Sequence, residues 1–299
     1  MQFKRPKRQI SGVLLLDKPA GFSSNQALQR VKHLFMAAKA GHTGNLDPFA
    51  TGLLPICLGE ATKFSHTLLD ADKIYRAVLK LGVTTSTGDT EGEVTGRCPV
   101  DVGQEEVEVA VKAFAGPIVQ TPPMHSALKH QGRPLYEYAR AGIEIERKPR
   151  EVSVHEISLK DLRGDEAEIY VSCSKGTYIR VLAEDIGRKL GCGAHLRVLQ
   201  RLETGGFQLR DACTLETLES MSATGRDQCL LPVDALLQHL PSVELDAGSV
   251  YYFRQGQAVW WSGLQSGMLR VYGPQHQFLG VAEVAPDGTL APRRVVTVQ

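Results

Sequence analysis

The 299 residues predict an α+β fold built on a mixed sheet and followed by a small all-β unit. Strand-like apolar runs interleave with segments of helical period through the first 240 residues. Two consecutive strands, 151–162 and 166–173, joined only by Arg163-Gly164-Asp165, require a hairpin and exclude a purely parallel sheet. Beyond about residue 240, short apolar runs recur at spacings of about ten residues between Gly, Pro and Asp turns.

Taken in order, Val13 to Leu16 is a short buried strand that ends at the turn Asp17-Lys18-Pro19-Ala20-Gly21. Ser23 or Ser24 is placed to cap a helix carrying Ala27, Leu28, Val31, Leu34 and Phe35 on one face. A glycine-punctuated loop, 41–48, precedes an apolar segment, 53–58. Residues 73–83 alternate as a strand, with Ile74, Ala77, Leu79 and Leu81 set among Lys73, Arg76 and Lys80. The acidic stretch 84–96 reads as loop, 104–114 as an acidic helix stopped by Gly116-Pro117, and 177–190 as a helix with Ile179, Leu182, Ala183, Ile186 and Leu190 inward. The segment 126–142 carries a helical pattern at Leu135, Tyr138 and Ala139. In the last unit the apolar runs are 250–253, 258–261, 269–272, 278–282 and 295–298. A domain boundary falls near Leu245, giving units of 1–245 and 246–299.

Composition is that of an ordinary globular chain: 42% hydrophobic and 22% charged residues leave no route to a collagen-like or disordered protein. The net charge of +1 conceals an uneven distribution. Residues 1–80 carry +7, 81–124 carry −5, 125–150 carry +3 and 151–299 carry −4. Because salt screens charges beyond about 10 Å, local basic stretches can face phosphate even when the total is near zero. The six cysteines form no Cys-x-x-Cys pair, and Cys192-x-x-His195 has no partner pair at zinc spacing, so a reduced, metal-free, cytoplasmic protein is expected. The basic head Lys4-Arg5-Pro6-Lys7-Arg8 leads only into Gly12 to Leu16, too short for a signal peptide, and no apolar stretch is long enough to span a membrane.

Neither a dinucleotide nor a P-loop glycine signature is present. His155-Glu156 lacks the second His of a zinc-protease motif, since position 159 is Leu. Ser126-x-x-Lys129 matches the short Ser-x-x-Lys element of acyl-transfer enzymes without its companion motifs. The most unusual segment is 42–52, which with Gly41 just ahead of it sets a His, two Thr, an Asn and an Asp among the glycines 41, 44 and 52 and one proline. Glycine allows close backbone approach, and Pro48 pushes Asp47 toward extended backbone, so a carboxylate would sit on a stiff turn. An ordinary Asp-Pro turn is the alternative.

Gly41-His42-Thr43-Gly44-Asn45-Leu46-Asp47-Pro48-Phe49-Ala50-Thr51-Gly52 resembles the nucleophile motif of the TruB family, the bacterial tRNA pseudouridine-55 synthases. Four further segments resemble that family in order. They are Leu16-Asp17-Lys18-Pro19-Ala20-Gly21, Lys73-Ile74-Tyr75-Arg76-Ala77, the stretch 122–142 with Gly132-Arg133-Pro134-Leu135-Tyr136, and Lys175-Gly176-Thr177-Tyr178-Ile179-Arg180. The last fifty or so residues, with Phe278-Leu279-Gly280 and Pro292-Arg293-Arg294, look like its PUA-type domain. Asn45, Phe49 and His125 depart from the family pattern, without removing a reactive group.

The resemblance implies a pseudouridine synthase catalytic domain with an RNA-binding insertion at about 124–150 and a small β-barrel-like PUA-type domain. It implies isomerisation of uridine to pseudouridine at position 55 in the TΨC loop of tRNA, by a monomer. The chemistry breaks N1–C1′ and forms C5–C1′ with no redox change, so no cofactor and no nucleotide are required. Asp47 is implied as the nucleophilic carboxylate, attacking the sugar or the base or abstracting a proton, Arg180 as the cation that keeps it ionised, and Tyr75 as the ring stacked on the base. His42 is implied to contact displaced bases, Tyr178 and Leu199 to line the uracil pocket, and Lys18 and Pro19 to support the loop. Lys129 belongs to a basic set with Arg133, Arg140, Arg147, Lys148 and Arg150 that would meet phosphates. From a different class, an RNA-binding tRNA-folding chaperone fits the same charge pattern, alone or beside catalysis; a Ser126-dependent hydrolase is the third alternative.

Overall fold

A computed structural model describes residues 7–263 and 266–297. The strands are β1 (Gly12–Lys18), β2 (Ala40–His42), β3 (Thr51–Leu58), β4 (Lys73–Leu81), β5 (Val83–Thr85), β6 (Val94–Arg97), β7 (Gly116–Gln120), β8 (Lys129–His130), β9 (Arg133–Pro134), β10 (Arg150–Arg163), β11 (Glu166–Cys173), β12 (Ala194–Thr204), β13 (Phe207–Gln208), β14 (Cys213–Thr214), β15 (Ser242–Glu244), β16 (Val259–Trp260), β17 (Gly267–Gly273), β18 (Gln277–Val284) and β19 (Thr289–Val295). The helices are α1 (Ser24–Leu34), α2 (His66–Leu69), α3 (Gln104–Lys112), α4 (Leu135–Arg140), α5 (Ile179–Lys189), α6 (Leu215–Ser220), α7 (Ala223–Gln228) and α8 (Ala247–Arg254). One large sheet runs β14-β1-β3-β12-β4-β11-β10-β7, with β2 on β3 and β13 on β12; a second, five-stranded sheet runs β15-β17-β18-β19-β16. Parallel pairs (β1 with β14, β12 with β3) among antiparallel ones make the large sheet mixed, as the sequence predicts.

Alternation in β1 and β3 explains why both faces of the large sheet are covered. Leu14, Leu16, Leu54, Ile56 and Leu58 point into the main core, with Leu28 and Val31 of α1 and Leu182 and Ile186 of α5. Val13, Leu15, Leu53 and Cys57 point the other way, into a second core with Phe64, Leu236, Val281 and Val296. That second core holds the two sheets together, and Phe64 meets Phe278 edge-on at 5.9 Å. Ser23 caps α1 through a capping box with Gln26, which settles the choice between the two serines.

Four local expectations are corrected. The run 250–253 is not a strand but part of α8, because Asp246 accepts bonds from the N–H groups of Gly248 and Ser249 and so starts a helix. Val250 and Phe253 then face inward at helical spacing, leaving Tyr251 and Tyr252 exposed. The final strand is Thr289–Val295 rather than 295–298; Val296 packs in the second core and Val298 lies outside the described residues, as do Lys4 to Pro6 of the basic head. The acidic stretch 84–96 contains the small β5–β6 hairpin, whose short polar strands give no apolar alternation to read. In β4 the inward set is Tyr75, Ala77, Leu79 and Leu81, with Ile74 on the opposite face.

One glycine fixes how closely β12 approaches the loop around Asp47. Gly52 has φ of +100° and stands opposite Arg201, and a Cβ there would lie 2.4 Å from the Arg201 carbonyl oxygen. Gly52→Ala is expected to lose about 1–3 kcal/mol from the backbone conformation alone, with the clash in addition. Chemical denaturation reads this; a variant as stable as the parent would show the strand spacing to be wrong.

Candidate functional site

The Asp47 loop hangs between β2 and β3 and is tied down on three sides. From the α1 side, Ser24 Oγ accepts from Leu46 N at 2.8 Å and donates to Leu46 O at 3.2 Å. From below, Gly21 N donates to Pro48 O at 2.8 Å, and buried Lys18 Nζ reaches Pro48 O at 3.4 Å as well as Phe22 O and the carbonyl of Pro19. From the sheet side, Arg201 Nη1 donates to Asn45 O at 3.3 Å and Nε to Leu53 O at 2.7 Å. The bond at position 45 uses the backbone carbonyl, so the departure at Asn45 leaves it intact.

Arg180 enters from the first turn of α5 and closes on Asp47. Its Nε lies 3.0 Å from Oδ2 and its Nη2 3.3 Å from Oδ1, a two-pronged pair. The same guanidinium reaches Asp89 at 3.4 Å and donates to Thr87 O and to His125 O. Again the His125 contact is through the main chain. Arg180 and Asp89 have side chains only 5% and 4% exposed, whereas Asp47 keeps 36% of its side-chain surface open. The carboxylate is therefore deep enough to be desolvated and open enough to be reached.

Burial pushes the Asp47 carboxyl above the usual aspartate range; the Arg180 charge opposes this and the Asp89 charge adds to it. Lys18 is pulled down to about 8 by burial, and His42 is lowered by burial and then by the Arg201 charge. For Asp47 the folded pKa exceeds the unfolded value of about 3.9, so stability present in acid is lost as pH rises through the raised value. Asp47→Asn is thus expected to unfold at the parent's temperature in acid and above it at neutral pH. A lower neutral melting temperature would contradict this balance.

The other implied residues divide into two groups. Tyr75 is buried on β4, and Leu199 on β12 pairs with Ala77, two residues further along β4. Tyr178 precedes α5, with its N–H donating to Gln120 Oε1 at 2.9 Å and its carbonyl accepting from Gln120 Nε2 at 3.2 Å. The Asp47 charge is felt at both Tyr75 and Tyr178, and that of Lys18 at Asp47. His42 ends β2, its Nδ1 accepting from Gly44 N at 3.4 Å. Lys129 stands apart on the exposed β8–β9 hairpin, and no hydrogen bond or ion pair among the described residues connects it to Asp47. Ser126 is buried while Lys129 is exposed, with no hydrogen bond between them among the described residues, so Ser126 lacks an activating base there.

Three participants escape sequence reading. Asp89 sits in a stretch without pattern. Gln120 ends a strand and gives no local cue. Arg201 was in principle visible: it shares the inward parity of Leu199, and a charged residue at a core-facing strand position signals a use for the charge.

No described helix is long and apolar enough to cross a membrane, and no group of three or more His, Cys, Asp or Glu among the described residues could hold a metal ion. Residues 32–179 match the model of the TruB family pseudouridylate synthase N-terminal domain. Residues 180–238 match a tRNA pseudouridylate synthase B C-terminal domain, and 241–296 a pseudouridine synthase II TruB C-terminal domain. The chain is 61% identical over 297 residues to tRNA pseudouridine synthase B of Methylobacillus flagellatus, covering 99% of this chain and 98% of that one. It is 55% identical to the protein of that name from Dechloromonas aromatica, covering 99% of each. Among solved structures, a Cbf5-Nop10-Gar1 complex is similar with a TM-score of 0.71 at 26% identity, over 96% of this chain and 84% of the other. An H/ACA RNP bound to a substrate RNA matches in fold at the same TM-score and 22% identity, over 96% and 85%.

Proposed function

The chain belongs to the TruB family of pseudouridine synthases and modifies tRNA, and from that premise we propose that its target is the uridine at position 55 in the TΨC loop, isomerised by the Asp47 carboxylate. The observation that carries this reading is the two-pronged Asp47–Arg180 pair held on a braced loop, with the Asp47 charge felt at Tyr75. Breaking N1–C1′ requires a carboxylate to act on the nucleoside and a surface that retains the detached base. Arg180 keeps Asp47 ionised against its desolvation, Tyr75 stacks on the uracil, and Tyr178 and Leu199 line its pocket. His42, at the mouth of the loop, contacts bases displaced when the uridine is flipped out, a step that costs a few kcal/mol. Lys18 and Pro19 hold the loop by the carbonyl bonds described above.

Binding of the TΨC stem-loop uses the insertion at about 124–150 and the PUA-type unit at 246–299. Lys129, Lys148 and Arg150 are exposed cations with no ion pair among the described residues, whereas Arg133 and Arg147 pair with Glu137 and Glu144. Their exposure also favours a second role, tRNA-folding chaperone, since they can grip phosphate independently of Asp47. A redox-neutral, non-hydrolytic isomerisation calls for no cofactor, and one chain supplies every group named, so we read the enzyme as a cytoplasmic monomer. Tritium release from tRNA labelled at uridine C5 tests the chemistry. Stoichiometric release with pure protein is expected; none from a folded preparation would refute it.

A further inference from the structure

We propose that Arg201 is a positioning residue of the reaction, tying the ring of Tyr75 to the loop that carries Asp47 so that base platform and carboxylate keep a fixed separation. The inference deepens the function proposed above and rests on it. Arg201 is among the largest fully buried side chains of the molecule. It lies on β12, where it stands opposite Tyr75 of β4 on one side and opposite Gly52 of β3 on the other. Residues directly opposite in an antiparallel pair have Cβ atoms roughly 4.5–5.5 Å apart and share a face, so the guanidinium grows out beside the Tyr75 ring. From there it donates to Leu53 O and Asn45 O, the carbonyls flanking the Asp47 loop.

A purely structural arginine at this depth would be expected to have every donor paired and a carboxylate at hand. Arg201 has neither: its Nη2 is buried without a hydrogen-bond partner, and no ion pair is made to it among the described residues. The titratable groups that sense it are Lys18, His42 and Lys73, each lowered first by burial and further by its charge, and Tyr75, whose phenol burial pushes up and Arg201 opposes. Tyr75 is its cross-strand neighbour, and its phenol oxygen is the group we assign to the spare donor. A leucine or methionine at position 201 would fill the space but hold neither the carbonyls nor the hydroxyl.

The test is a double-mutant cycle on the single-turnover rate of pseudouridine formation, with tRNA affinity and unfolding temperature measured for each protein. Arg201→Lys keeps the charge and stem but loses the fork, and Tyr75→Phe keeps the ring but loses the hydroxyl. Each single variant is expected to react at least about 10-fold more slowly, the effect of one lost charge-assisted bond, with tRNA affinity unchanged. The double variant is expected to be no slower than the slower single one. Losses that multiply would overturn the proposal, as would a Tyr75→Phe enzyme as fast as the parent. Should Arg201→Lys fail to fold, Tyr75→Phe still decides on that second criterion. Asp47→Asn separates the two levels: an active Asp47→Asn enzyme refutes the reading of the site, whereas an inactive one with multiplying losses refutes Arg201 alone.

Discussion

Asp47→Asn is expected to slow pseudouridine formation by more than ~10³-fold, the scale on which loss of an attacking group falls, while leaving tRNA affinity within a small factor of the parent. Asparagine preserves the shape of the side chain and can still meet Arg180, but it carries no negative charge and is no nucleophile. The separation from binding follows from position: the exposed cations Lys129, Lys148 and Arg150 stand outside the Asp47 loop. The same substitution removes a desolvated charge, so the dead enzyme is expected to be at least as stable as the living one at neutral pH. Quench-flow rates and filter binding on one preparation read both effects, and an equal loss of affinity and rate would contradict the assignment.

Arg180→Lys is the second large effect. Arg180 serves both oxygens of Asp47, a carboxylate oxygen of Asp89, and the carbonyls of Thr87 and His125 from one planar fork. A lysine supplies the charge but cannot reach these groups together. Losing two charge-assisted bonds of about 1.5–3 kcal/mol each corresponds to a rate loss of at least about 10²-fold. Arg180→Met goes further, leaving the Asp47 and Asp89 carboxylates without the guanidinium between them. Destabilisation of about 3–5 kcal/mol is expected, growing as pH rises because protonation relieves the repulsion in acid. Urea titrations at two pH values check the sign; a variant more stable at high pH than at low would contradict it.

The large elements were legible because their periodicity is strong. β4, β10, β11 and α5 fall close to where alternation and helical spacing predict them. Where reading failed, a local cap or a lack of apolar pattern was responsible. α8 was hidden because Val250 to Phe253 is an apolar run equally compatible with a strand, and only the Asp246 cap decides. The β5–β6 hairpin carries polar residues on strands of three and four. At the site, Asp47 was legible through its glycine-rich loop and through resemblance, whereas Asp89 and Gln120 act by tertiary contact with Arg180 and with the Tyr178 backbone. Such contacts join residues tens of positions apart and leave no trace in local pattern.

Charge followed the same course. The +1 total is uninformative, but the +3 stretch at 125–150 coincides with the exposed β8–β9 hairpin and α4, where Lys129 and Arg140 reach solvent. The +7 stretch contains Lys18, which is buried and turned inward to carbonyls. Part of that surplus is therefore structural and unavailable to phosphate.

Mapping pseudouridine at single-nucleotide resolution across unmodified tRNA incubated with the pure protein decides whether Asp47 acts on the uridine at position 55. One new pseudouridine is expected, at position 55, formed by the parent chain and absent with Asp47→Asn. Pseudouridine at a different position, or equal formation by the Asp47→Asn protein, would contradict it.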